Sequence, residues 1–371
     1  MQTVAEPATT QNSGARTSAV LESHLPSLDG MRALSILLVL GYHADLARLG
    51  ANGIGQYYGR LGVFVFFVIS GLLITWLMLR ERDATGAFSL RNFYIRRFLR
   101  ILPVFWLFLL TVSILKSAHV ISIEWLDIFR AFTFTYNYVH FSHSWWVGHC
   151  WSLSLEEQFY LVWPSLFALL PRKIPPRLAV ILALSAPLIR VVNYFAFPSL
   201  RGLNPDGFEA RIDILMVGCA SAFLLDSPAW RDRIRKIPVW PTLAITSTFL
   251  LIVEPFLEQH FVPHTTPSVV INLVVPTMQA VVIALTLLVV VSGKPGMPFR
   301  LLNSRIPTHI GKLSYSIYIW QQLFLFPAAA PSTFSLLWRL ATVYLVAFCS
   351  FNFFERPFVK MRSKFRHGVS V

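Results

Sequence analysis

Arg32 and His43 stand eleven positions apart on one apolar stretch, RALSILLVLGYH. An α-helix turns about 100° per residue, so eleven steps bring the second side chain to within roughly 20° of the first. The same steps climb about 16 Å, roughly half of a ~30 Å hydrocarbon core. An arginine at a membrane surface would then lie beneath a histidine deep in the bilayer, on one helix face. Ionisable groups at such depth are costly and mark functional paths. The plainer reading is a snorkelling anchor and one satisfied core histidine.

Two further segments carry chemistry. In NFYIRRFLRILP, Arg97 and Arg100 are i, i+3 neighbours and Arg96 and Arg100 are i, i+4, so three guanidiniums fan over one helix start. Free N–H groups and the helix dipole favour anions there, and with Arg32 the cluster makes a candidate phosphate site. The competing reading is a basic anchor that attracts anionic lipid. In WSLSLEEQFYLVWP, Glu156 and Tyr160 share one face, with Trp163 beyond. A glutamate at that depth needs a partner. His43 is the expected one, because a carboxylate beside an imidazole orients the ring and supports general-base work. Alternatively the acids form structural pairs with Arg190 or Arg211, a role that suits Glu157, about 100° from Glu156. Arg211 and Asp213 open another apolar segment and join the same expected group of ionisable residues.

The elements that must hold these residues are apolar helices. The chain has 371 residues, 55% hydrophobic and only 13% charged, against about 25% charged in soluble domains. Segments long enough to span lie at about 33–48, 61–79, 101–117, 151–170, 178–197, 211–226, 240–255, 267–292, 313–329 and 335–354. The reading is an all-α, polytopic membrane protein of about ten transmembrane helices around a central polar cavity. Of 32 Lys and Arg, 24 fall in one set of alternate loops and six in the other. That asymmetry places both termini in the cytoplasm and also explains the net charge of +14 without nucleic acid. Residues 1–27 read as a disordered cytoplasmic tail without the apolar core of a signal peptide, so the first apolar helix is expected to serve as the targeting signal. Residues 359–371 read as a basic cytoplasmic tail. Cys150, Cys219 and Cys349 are far apart, and neither a disulfide framework nor a metal site is expected.

Taken together, these motifs resemble the membrane-bound acyltransferase-3 family. The matching text is LPSLDGMRALSILLVLGYH, GVFVFFVISGLLI, NFYIRRFLRILP, WSLSLEEQFYLVWP, EARIDILMVGCASA, IGKLSYSIYIWQQ and FNFFERP, in family order over about residues 27–358. The resemblance implies a membrane acyltransferase domain over 28–358. It implies an enzyme that O-acylates carbohydrates, lipopolysaccharide, lipids or macrolides, with acyl-CoA as co-substrate and no tightly bound cofactor. His43 then looks catalytic, while Arg32, Arg97 and Arg100 resemble donor-binding positions; Glu156 joins His43 on the reading of the residues above. Some relatives carry histidine after the tryptophan of the Ser-Tyr segment, where this chain has Gln321. Some also carry a C-terminal extracytoplasmic esterase-like domain; here the membrane domain alone is expected to acylate.

The expected reaction moves an acyl group, acetyl above all, from cytoplasmic acyl-CoA to a hydroxyl of a carbohydrate or glycolipid-type acceptor. Transfer is expected to be direct, with an acyl-enzyme on His43 or Ser70 as the alternative. Arg211, Asp213 and Tyr160 are further candidate substrate contacts. Tyr136, Tyr138, Trp145 and Trp146 offer a sugar platform, or only an interfacial belt. Composition and topology alone favour a proton-coupled secondary transporter for a small anionic or sugar-like solute. The absence of a repeat between 30–170 and 210–354, and a phosphate cluster below an imidazole, speak against it. A third reading, a lipid-binding scaffold, would leave His43 dispensable.

Overall fold

A computed structural model describes residues 25–49, 54–139, 144–197, 206–260, 266–293, 296–327 and 332–365. The expected N-terminal tail lies outside these residues up to position 24, as does the end of the basic tail from 366. Among the described residues every regular element is helical.

The order is α1 (Leu28–Leu49), α2 (Ile54–Thr85), α3 (Leu90–Ser117), a short α4 (Trp125–Phe132), α5 (Cys150–Leu169), α6 (Ile174–Ala196) and α7 (Phe208–Asp226). Then come α8 (Pro228–Arg235), α9 (Val239–Thr248), α10 (Glu254–His260), α11 (Thr266–Ser292), α12 (Met297–Leu302), α13 (Arg305–Phe324), α14 (Thr333–Cys349) and α15 (Arg356–Met361). Nine of the ten apolar segments fall within helical stretches to within a residue of their ends, and the segment 313–329 ends as helix at Phe324. Six helical stretches are long and apolar enough to cross a membrane by length and composition. They are Tyr57–Thr85, Leu90–Ser117, Ile174–Ala196, Val239–Leu257, Leu273–Ser292 and Thr333–Met361. α1, α5, α7 and α13 fall outside that set and carry most of the ionisable and amide groups singled out above.

Apolar helices in lipid gain little by burying more apolar surface, so they associate through close backbone approach and interhelical hydrogen bonds. Both devices appear here. α13, α1, α2, α7 and α6 pack in succession. At the α2–α7 crossing, a Cβ on Gly71 would stand 2.0 Å from the Leu215 carbonyl oxygen, and one on Gly218 would stand 2.3 Å from that of Val68. Each glycine thus opens the space for the other helix's backbone. Trp163 Nε1 donates to Thr75 Oγ1 (2.9 Å) between α5 and α2, and the Tyr315 hydroxyl donates to the Ile101 carbonyl (3.1 Å) between α13 and α3.

Helix ends follow local chemistry. Ser89 is extended and its Oγ accepts the Asn92 N–H, capping α3. Ser332 does the same for α14 through Ser335. Two π-helical turns interrupt long helices, at Phe249–Val253 and Ser350–Glu355. Each adjoins or contains a buried glutamate, Glu254 or Glu355, and Glu355 Oε1 accepts from Ser316 (2.6 Å) and Ser350 (3.0 Å). Such turns open the backbone ladder where a polar group must be accommodated. α4 buries Ile128 and Ala131 and exposes Trp125, Phe129 and Phe132, the pattern of a helix lying along an interface. At one end of the bundle, Arg80 pairs with Asp226 (2.7 Å), Arg96 with Glu81 (2.6 Å), and Arg172 with Asp83.

The α2–α7 crossing yields a prediction. Gly218→Val should lower the thermal midpoint in detergent, since overpacking typically costs about 1–3 kcal/mol. Gly41 has open space where a Cβ would stand, so Gly41→Ala should leave the midpoint unchanged or raise it. Equal midpoints for wild type and Gly218→Val would refute the contact.

Candidate active site

A narrow cleft opens near the basic end of the bundle. Space for the centres of water-sized molecules amounts to about 90 Å³. Its ionisable lining is Arg32 from α1, Arg97 and Arg100 from α3, and Glu156 and Glu157 from α5. Ser70, Tyr160, Ser152, Tyr315 and Tyr318 complete the polar wall. Arg32 lies near the start of α1, but α3 begins at Leu90, so Arg97 and Arg100 stand two turns or more inside it, away from the free N–H groups expected to help them bind an anion. Packing of α1, α3 and α5 around the cleft brings the three together. Three guanidiniums face two carboxylates, so the lining is net positive.

The arginines differ in how they are held. Arg32 forms an ion pair with Asp29 one turn earlier (2.9 Å). The Arg97 guanidinium lies 5.1 Å from the Tyr160 ring centre and 5.6 Å from that of Phe93. Among the described residues, neither Arg97 nor Arg100 has a hydrogen-bond or close ion-pair partner. Arg96, the third member of the expected fan, is committed elsewhere, to Glu81 and to the Phe365 carbonyl (2.8 Å). Two guanidiniums with donors to spare, lodged in a cleft, can take phosphate or carboxylate oxygens.

Glu156 is placed differently from the sequence expectation. Its Oε1 accepts a hydrogen bond from Ser70 Oγ (2.7 Å), and Tyr160 OH lies 3.4 Å from the same serine oxygen. Among the described residues no hydrogen bond joins Glu156 to His43. The two helices put the acid in the cleft and the imidazole beyond it. Glu157 lines the cleft too, and does not pair with Arg190 or Arg211.

His43 is buried, 8% exposed, and sits in a second polar group built by α1, α13 and the turn before α5. Its Nδ1 lies 3.0 Å from the Val39 carbonyl oxygen. Its Nε2 lies 3.4 Å from the Gln322 amide nitrogen. Gln322 Oε1 in turn accepts the His149 backbone N–H (3.1 Å) and contacts His149 Nδ1. Trp145 meets the His43 ring edge-on at 5.5 Å and donates from Nε1 to the Gln322 carbonyl (2.9 Å). Gln321 is wholly buried and lies near His43, yet neither of its amide atoms has a hydrogen-bond partner among the described residues.

Ser152 and Tyr318 stand between the two groups. Both line the cleft, their hydroxyl oxygens are 2.5 Å apart, and both reach the His149 carbonyl oxygen, at 3.0 and 3.2 Å. Ser152 and Tyr318 thus connect the cleft wall to the His149–Gln322–His43 group.

The remaining candidates fall outside the cleft. Asp213 is fully buried and holds Arg190 (3.0 Å), with Thr277 bonded to both at 2.5 and 2.8 Å. This network ties α6, α7 and α11. Arg211 pairs with Asp206 (3.3 Å) and lies over the Phe64 ring. Of the aromatic platform, Tyr136 is fully buried and its hydroxyl accepts the Ser144 N–H (2.8 Å), while Tyr138 donates to Glu209 (3.0 Å). His149, Gln322, Ser152 and Tyr318 were not singled out from the sequence. A pair of amides inside the apolar run YIWQQLF was the available signal, since buried polar groups in such a run demand partners.

Comparison with known proteins points to one family. The model described as an acyltransferase domain of the acyltransferase-3 type matches residues 25–353. The peptidoglycan O-acetyltransferase OatA of Listeria monocytogenes is 26% identical over 374 residues, covering 93% of this chain and 57% of that protein. The O-acetyltransferase OatA of Staphylococcus aureus NCTC 8325 is 29% identical over 318 residues, covering 80% of this chain and 50% of its own length. The chain thus spans about half the length of these curated relatives. No solved structure matches it significantly. With the family model covering nearly the whole helical bundle and both polar groups, the chain belongs to the acyltransferase-3 family.

Proposed function

We propose that this protein is an integral membrane O-acyltransferase that moves an acetyl group from cytoplasmic acetyl-CoA to a hydroxyl of a carbohydrate or glycolipid-type acceptor. The observation that carries the reading is the pair of guanidiniums, Arg97 and Arg100, that have no hydrogen-bond or ion-pair partner among the described residues and lie in a cleft with Arg32. The names of the relatives, O-acetyltransferases acting in one case on peptidoglycan, support the acyl group and the class of acceptor. In this reading all ten apolar segments span the membrane around a central polar cavity. Both termini and the α2–α3 turn are cytoplasmic, in line with 24 of 32 basic residues on that side.

The three arginines hold the phosphates of the nucleotide at the cleft mouth. Fork-shaped guanidinium donors suit phosphate oxygens, and lysine would not reproduce the geometry. The acyl-bearing arm points up the cleft toward the Ser152–Tyr318 layer. His43 is the general base. The acceptor hydroxyl gives its proton to His43 Nε2 as its oxygen attacks the thioester carbonyl. The C–S bond then breaks, and the proton leaves with the CoA thiol. A hydroxyl is a poor nucleophile near neutral pH, so a positioned base is required. Negative charge develops on the carbonyl oxygen, and the buried amide of Gln321 beside His43 is our candidate donor to it. Glu156 and Tyr160 shape the cleft through Ser70 rather than orienting His43 directly.

Three outcomes test this. His43→Ala should cut acetyl transfer by about 10²–10⁴-fold, the usual worth of a general base, with acetyl-CoA binding retained. Wild-type transfer by that variant would refute the mechanism. Arg97→Ala or Arg100→Ala should raise the apparent KM for acetyl-CoA; unchanged donor affinity in both folded variants would return these residues to an anchoring role. For orientation, a cysteine placed at Ser89 should resist an impermeant thiol reagent in intact cells, and its labelling there would invert the topology.

A further inference from the structure

The His149–Gln322–His43 group fixes where protons sit. A backbone N–H can only donate, so the His149 N–H at 3.1 Å settles which end of the Gln322 amide is oxygen. The other end is then NH₂, and it faces His43 Nε2 at 3.4 Å. A carbonyl can only accept, so the Val39 carbonyl at 3.0 Å requires a proton on His43 Nδ1. Both demands agree. Nδ1 carries the hydrogen, and Nε2 carries the lone pair and looks at an amide donor.

We infer that Gln322 is a positioning residue that holds His43 in the base-competent tautomer. This rests on the reading of His43 as general base and names what makes it one. Histidine bases are commonly oriented by a carboxylate, which would accept from one ring nitrogen. Here a backbone carbonyl fills that position from below and a side-chain amide blocks the wrong tautomer from above. Gln322 is itself held at three points: its oxygen by the His149 backbone and ring, and its main-chain carbonyl by Trp145. It is 4% exposed and sits on α13, which packs along α1. The amide cannot turn over without stranding the His149 N–H. The 3.4 Å separation from Nε2 is long for a hydrogen bond, so an incoming hydroxyl can take the lone pair without breaking a strong contact.

The test compares two variants of opposite chemistry, using radiolabelled acetyl-CoA and membrane vesicles of expressing cells, with base-labile label in the acceptor fraction as readout. Gln322→Ala removes the amide and should lower kcat by about 2–10-fold, the worth of one neutral hydrogen bond, with KM for acetyl-CoA unchanged. Gln322→Glu keeps the shape and still accepts from His149, yet it replaces the donor facing Nε2 by an acceptor. It should draw a proton onto Nε2 and lower kcat by about 10²–10⁴-fold, toward the level of the missing base. A merely structural role predicts the reverse order, with the near-isosteric glutamate milder than alanine. That order, with His43→Ala inactive, would overturn the inference and leave the reading of His43 standing; an active His43→Ala would overturn the reading itself. Should neither Gln322 variant accumulate, nitrogen NMR of histidine-labelled wild type decides. The His43 signals, assigned by their loss in His43→Ala, should show a bare Nε2 and a protonated Nδ1. A hydrogen on Nε2 would refute the proposal.

Discussion

A guanidinium or carboxylate inside hydrocarbon has no water to return to. Each such group in this bundle must find its partners from other helices or line a space that a ligand fills. That constraint orders the structure. Asp213 Oδ2 holds both Arg190 and Thr277, and this ties α6, α7 and α11 together. Glu355 is met by two serines where the helix opens into a π turn. Glycines at the α2–α7 crossing let those two backbones approach closely. Against that background, and among the described residues, Arg97 and Arg100 in the cleft make no hydrogen bond or ion pair, and the Gln321 amide near His43 is one of several buried polar groups without a hydrogen-bond partner.

Much of the architecture could be read from the amino acids. Apolar runs interrupted by basic turns predict helices, and the helices are there, because a backbone in lipid has few other ways to satisfy itself. The arginine cluster was legible in part: the i, i+3 spacing of Arg97 and Arg100 does put both in the cleft, but the helix starts earlier, at Leu90, and Arg96 turns away to Glu81. The partner of His43 was not. Matching a glutamate to a histidine by depth assumes that their helices are neighbours at that level. The neighbours of His43 come instead from α13 and the Trp145–His149 turn, more than 100 positions away in sequence. Hydropathy gives the length of a helix and says nothing of which helix lies beside it.

Asp213 shows the same limit from another side. A carboxylate two residues from an arginine in an apolar segment reads as part of a ligand site. In the fold it points at Arg190, and the nearer Arg211 turns to Asp206. Residues adjacent in sequence sit about 100° apart per step on a helix, so neighbours in the text often serve different walls. Gln322 was hidden for a related reason. An amide has no charge and no characteristic spacing, and its importance comes from being gripped at both ends.

The hydroxyl layer formed by Ser152 and Tyr318 has a consequence beyond catalysis. A continuous wet passage through these helices would short-circuit the membrane, where each elementary charge crossing 100 mV is worth about 2.3 kcal/mol. Ser152 and Tyr318, bonded to one another and to the His149 carbonyl oxygen, stand between the basic cleft and the His43 group. Nothing charged needs to pass them. In the proposed reaction the phosphates would stay with the arginines, and an acyl group would carry no net charge past the phenol and serine hydroxyls. A partition of this kind would act as a dielectric septum in the proposed reaction, letting a neutral fragment change sides while the ionic gradients stay intact.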